Sequence, residues 1–178
     1  MKKYLLSIIA IVTLHQSLQA QNDGIANKLL YAELGGPGVL ISVNFDARFN
    51  SKERLGFGYR LGVGFGDGDT ENDLNIWGYN GYIDRTYYSI PVGLNYIFGK
   101  PNSANAFEVG AGITFLTRKV SLYNYDVEKP GHAIGFLTFM YRVVPANGGF
   151  SFRIGLTPII GTAGDLVPMG AVSFGYAF

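Results

Sequence analysis

From Leu55 to Gly66 the chain reads LGFGYRLGVGFG, and alternate positions separate into two sets. Leu55, Phe57, Tyr59, Leu61, Val63 and Phe65 make one; Gly56, Gly58, Arg60, Gly62, Gly64 and Gly66 make the other. A period of two is the signature of an extended strand, whose successive side chains point to opposite faces. The same alternation recurs in VLISVNFDARF (39–49), where Val39, Ile41, Val43, Phe45 and Phe49 oppose Ser42, Asn44, Asp46 and Arg48. It returns in YYSIPVGLNYIF (87–98), FEVGAGITF (107–115), FSFRIGLTP (150–158) and AVSFGYAF (171–178). KLLYAEL (28–34) is a shorter example, with Tyr31 and Glu33 opposite Leu30, Ala32 and Leu34. IGFLTFMYRVV (134–144) is apolar on both faces, and Thr138 and Arg142 mark its polar side. These segments predict eight strands. Pro91 lies inside the fourth and lacks a ladder donor, so a bulge is expected there.

The connections alternate in length. Asn50–Arg54, Gly99–Asn105 and Pro145–Gly149 are short and rich in turn formers. A tight Gly35-Gly36-Pro37-Gly38 link, loops at Asp67–Arg85 and Arg118–His132, and a loop around Ile159–Val167 lie between them. In an up-and-down arrangement the longer loops emerge at one end.

Composition decides which face is outside. Charged residues are 15% of the chain, against the ~25% usual in soluble domains. Glycine, at 25 residues, is abundant. The small set is mostly Gly, Ser and Ala, a poor water-facing surface. The interior of an eight-stranded barrel is just wide enough for side chains to fill, and the bulky set would overfill it. The bulky set is therefore expected to face lipid. Glu33, Asp46 and Glu108 then lie inside with Arg48, Arg60, Arg142 and Arg153, where charges must be paired. Phe49, Phe57, Phe98, Phe107, Tyr141, Phe150 and Phe178 fall at one end of their strands, the position of an interfacial aromatic belt. The expectation is an all-β, eight-stranded antiparallel up-and-down transmembrane β-barrel, in which the last strand pairs with the first around Leu30–Leu34 and removes the exposed edge.

Residues 1–20 begin Met1-Lys2-Lys3, continue through an apolar run to Leu14, and end at Ala20. That is the form of a cleaved export signal, too short to span a bilayer. Its removal leaves residues 21–27 as a short periplasmic segment before a barrel over 28–178. Losing Lys2 and Lys3 takes the formal net charge from +1 to −1. Neither value nor any basic cluster points to nucleic acid. The absence of cysteine excludes a disulfide framework and thiolate metal sites.

LLYAELGGPGVLISVNFDARF, SIPVGLNYIFGK, FEVGAGITF and the ending VSFGYAF resemble the small eight-stranded outer-membrane β-barrel proteins, the class of the OmpA transmembrane domain and OmpX. In particular they resemble short barrels of Bacteroidetes-type bacteria. The resemblance implies the outer membrane of a Gram-negative bacterium, with outer-membrane lipid and lipopolysaccharide around the wall. It also implies that the outer-membrane assembly machinery reads Phe174, Tyr176 and Phe178. The class is functionally diverse.

Several constellations could carry chemistry. The interior charges are either a salt-bridged plug or a narrow ion or small-solute channel; the narrow bore favours the plug. A lipid A-modifying enzyme would need a His base with a nucleophile. His132, with Ser89 and Asp126 as candidate neighbours, is the one histidine after the leader. Asp67, Asp69, Glu71 and Asp73 hint at Ca²⁺ but lack the glycine and the bidentate glutamate of an EF-hand loop. Trp77, Tyr79, Tyr82, Tyr123 and Tyr125 make the two long loops aromatic, either as a binding surface for a partner or glycan or as loops that pack on each other. The expectation is a monomer without catalysis, metal or cofactor, with a structural or surface-interaction role through those loops.

Overall fold

A computed structural model of the chain describes residues 25–66, 74–76, 79–81, 86–120, 131–161, 164 and 166–178. The leader, the acidic run Asp67–Asp73, and Trp77, Tyr82, Tyr123, Tyr125 and Asp126 lie outside these residues.

Eight long strands form the wall: β1 (Lys28–Gly35), β2 (Ile41–Arg48), β3 (Gly56–Gly66), β4 (Tyr87–Gly99), β5 (Asn105–Val120), β6 (Gly131–Val143), β7 (Gly149–Leu156) and β8 (Gly170–Ala177). Each pairs antiparallel with the next, and β8 returns to β1, so the sheet closes. Closure runs from Leu29 opposite Ala177 to Gly35 opposite Ala171. Lys28 and Phe178 exchange both backbone hydrogen bonds at 3.0 Å, completing that seam.

The two faces have opposite polarity. Phe57, Val63, Leu94 and Phe150 are 67%, 64%, 61% and 65% exposed. Between them on the same strands, Arg60, Asn95 and Arg153 are buried. Towards the end holding both β1's start and β8's finish, rings touch in sequence around the outer wall. Phe57 meets Tyr96 edge-on at 4.7 Å, Phe98 stacks on Phe107 at 5.9 Å, and Phe107 meets Tyr141 at 5.5 Å. Cross-strand aromatic pairs of this kind hold register as well as area.

Four expectations change. Val39 is not on the outer face: at φ 76° it ends a 3-10 turn over Gly36–Gly38 and is buried. β2 proper starts at Ile41. Pro91 produces no bulge. Leu61 pairs with Val92 and Gly64 with Ser89 in one unbroken register, and the β3–β4 pairing lapses only between them. On the other side Pro91 pairs with Thr114 without interruption. The register does slip on β5, between Phe115 and Val120, opposite Ala133 and Gly131. β5 and β6 thereby extend to Val120 and Gly131, into the segment read as the loop Arg118–His132. The two remaining loops hold short pairings, Leu74–Ile76 with Tyr79–Gly81 and Ile159–Ile160 with Leu166–Val167.

Candidate functional site

Every strand contributes to one polar cluster in the barrel's middle. Glu33 on β1 accepts from Arg60 on β3 at 3.0 Å through both oxygens, from Arg153 on β7 at 3.2 Å, and from Ser173 on β8 at 2.8 Å. Glu108 on β5 accepts from Arg142 on β6 at 2.8 Å and from Arg153 at 2.9 Å. Asp46 on β2 accepts from Arg48 at 2.7 Å, lies 3.5 Å from Arg142, and accepts from Asn95 on β4. Arg48 also donates to Asn95 Oδ1 at 2.7 Å and to Gly56 O at 2.8 Å. The seven charged residues expected inside are thus all buried and joined by ion pairs. Charge-assisted bonds of this length roughly double a neutral hydrogen bond in strength, and in a low-dielectric interior each partner depends on the others.

Tyr31 ties the cluster to the wall. Its hydroxyl accepts from Arg60 Nε at 2.8 Å, and the Arg153 guanidinium lies 4.3 Å from its ring centroid, a cation–π distance. Bulky inward groups fit because glycine faces them. A Cβ on Gly58 would sit 2.3 Å from the Arg48 guanidinium carbon, and one on Gly112 would sit 2.4 Å from the Phe136 ring.

Apolar layers lie at both ends of this cluster, and alternation did not reveal them. Towards the long loops, Val39, Tyr87, Leu116, Ile134, Phe136, Ile159 and Met169 pack together. At the opposite end Ala26, Leu29, Tyr31, Val144 and Ala177 do so. The Gly36–Gly38 turn tucks inward among the first group. Thr114 donates to Pro37 O at 2.8 Å and Ser89 donates to Gly38 O at 3.0 Å. Gly35 can make this entry because its φ is 72° and a Cβ there would meet Gly170 O at 2.3 Å.

Arg54, in the Asn50–Arg54 turn, is also buried. It donates to Val144 O at 2.7 Å, Pro101 O at 3.0 Å and Lys100 O at 3.2 Å, and also to Ser103 O. One guanidinium therefore laces three neighbouring turns together. Burial, with repulsion from Arg142 added, holds its pKa below the usual arginine value. The sequence signal was slight, a lone Arg among turn formers.

Among the described residues, the enzyme constellation's His132 and Ser89 are not brought together. His132 is exposed, with Nδ1 3.2 Å from Leu116 O, whereas Ser89 lies inside, bonded to the turn. Of the aromatic loop set, Tyr79 lies in the short strand Tyr79–Gly81. Phe174 and Tyr176 stand on the outward side of β8, while Ser173 and Ala177 point in.

The fold thus defines a closed eight-stranded antiparallel barrel with an apolar outer wall and an ion-paired interior. No family model and no curated protein matches the chain. The crystal structure of Ail, the attachment invasion locus protein of Yersinia pestis, in complex with the heparin analogue sucrose octasulfate, is similar at 11% identity and a TM-score of 0.35. That likeness spans 85% of this chain and 92% of Ail.

Proposed function

We propose that the chain is an integral outer-membrane barrel with a structural or surface-interaction role, presented through its loops at Asp67–Arg85 and Arg118–His132. The observation that carries this reading is the pairing of an apolar, aromatic-belted outer wall with an interior filled along its length. An outward row of Phe, Leu, Val and Ile on almost every strand is far larger than the apolar patch a soluble monomer exposes. Lipid satisfies it, and a closed barrel satisfies every strand edge within the bilayer. In this reading the protein is a monomer without cofactor, surrounded by outer-membrane lipid and lipopolysaccharide. It is exported by cleavage after residue 20 and inserted by assembly machinery that reads Phe174, Tyr176 and Phe178. It belongs with the small OmpA- and OmpX-like barrels, the Bacteroidetes-type among them.

A channel is disfavoured by the inward Gly36–Gly38 turn and by the ion pairs below it, two obstructions in series. Catalysis by His132 is disfavoured because Ser89 is engaged on the other side of the wall. Fractionation of the producing cell, followed by gel migration of boiled and unboiled samples, tests the main reading. The expected outcome is an outer-membrane protein whose mobility shifts on heating. A soluble periplasmic protein without that shift overturns it, and discrete conductance in planar bilayers would overturn the sealed interior.

A further inference from the structure

The described interior is not electrically balanced. Arg48, Arg54, Arg60, Arg142 and Arg153 are buried, against Glu33, Asp46 and Glu108. Five guanidinium groups thus face three carboxylates, and a buried charge without a counter-charge is costly. The surplus lies at the end where β1 begins and β8 finishes. A cavity there is lined by the inward Arg48, Arg54 and Arg142, with Asp46 the only carboxylate on its wall; Lys28 borders it from the outward side of β1, and the remaining lining is apolar or uncharged. Asp46 is already engaged by Arg48, Arg142 and Asn95. Arg54 contacts four carbonyl oxygens and no carboxylate. The Nε of Arg142, itself 3% exposed, has no hydrogen-bond partner.

The cavity offers about 10 Å³ to an occupant, the room of a single water-sized species. A phosphate or a peptide carboxylate is too large. The apolar layer around Phe136 closes the other end, so an occupant enters from the side of the Asn50–Arg54 turn. We propose that this cavity is a binding site for one small monovalent anion of halide size, which balances the cations of Arg48, Arg54 and Arg142. The ion would lock the barrel at the end where its first and last strands close, and its source is chloride in the surrounding fluid.

The test uses the full chain folded in detergent micelles, with the thermal unfolding midpoint measured in sodium chloride and in sodium gluconate at equal ionic strength. The expected result is a saturable rise of roughly 2–4 °C in chloride, reproduced by bromide and not by sulfate. Arg54→Met should abolish the rise. Because that variant also loses the turn contacts, Ala106→Val, which fills the cavity from β5, is measured beside it and should weaken the rise with the turns intact. Lys52→Ala, on the exposed tip of the same turn, should leave the rise in place. Equal midpoints in chloride and gluconate would overturn the site and leave water as the occupant. A rise that persists undiminished in both Arg54→Met and Ala106→Val would overturn it too, by placing the ion elsewhere.

Discussion

On β3, Phe57, Tyr59, Leu61, Val63 and Phe65 stand exposed on the outer wall, while Arg60 between them is buried in ion pairs. Residues one position apart meet two different surroundings. Outside, side chains need only be apolar and large, and no single partner matters. Inside, every charged group depends on a particular neighbour across the bore. Tolerance should therefore invert between the faces: removing a charge is severe inside, adding one is severe outside, and apolar exchange outside is mild.

The largest effect is expected inside. Glu108 holds Arg142 at 2.8 Å and Arg153 at 2.9 Å. Glu108→Ala leaves both guanidinium groups without that partner, and breaking a buried pair in this way costs about 3–5 kcal/mol. Urea unfolding of the barrel in lipid vesicles measures it. A loss below about 1 kcal/mol, the scale of an exposed pair, would show that water reaches the cluster and that the interior is not sealed.

The outer wall gives the second test. Leu94 is 61% exposed, near the middle of β4, and its neighbour Gly93 faces inward against Phe136. Leu94→Arg should cost about 2–4 kcal/mol, the value for a cation on the lipid face near the midplane. Leu94→Phe should unfold at nearly the wild-type urea concentration. If Leu94→Arg also unfolds there, the wall faces water and the barrel does not sit in a bilayer.

The same inversion explains what could be read in advance. On the outer wall alternation is nearly perfect, as a wall that meets lipid in the proposed reading must be. The charge cluster was legible for the complementary reason: a charged residue on a strand of glycines has one place to go. The apolar layers were not, since Ile134 and Phe136 sit on a strand apolar on both sides, where a period of two carries no contrast. Val39 was misplaced because its backbone leaves the extended region two residues before β2 begins. Arg54 escaped because its role depends on three turns meeting in space. The aromatic loops that carry the proposed interaction surface fall largely outside the described residues.

Pro91 is the finest probe of the contrast, since it is an inward residue with an expectation of trouble attached to it. Its pairing with β5 is intact and its pairing with β3 lapses opposite Gly62 and Val63, so the missing N–H belongs to the β3 side. A Cβ on Gly62 would lie 3.0 Å from the Pro91 ring, so the proline covers the bare backbone of its neighbour. Pro91→Ala restores a ladder donor, worth about 0.5–1.5 kcal/mol. It also surrenders that ring contact and about 0.4–1 kcal/mol of unfolded-state restriction. The opposing contributions should nearly cancel, and the free energy of urea unfolding should move by less than about 1 kcal/mol in either direction. Hydrogen exchange should meanwhile show slower exchange of amides on the β3–β4 seam near Gly62. A loss above about 2 kcal/mol, in the range of a cavity in a packed core, would mean that the Pro91 ring fills the bore as Phe136 does, and that the packed interior extends further towards the charge cluster than the apolar layers alone.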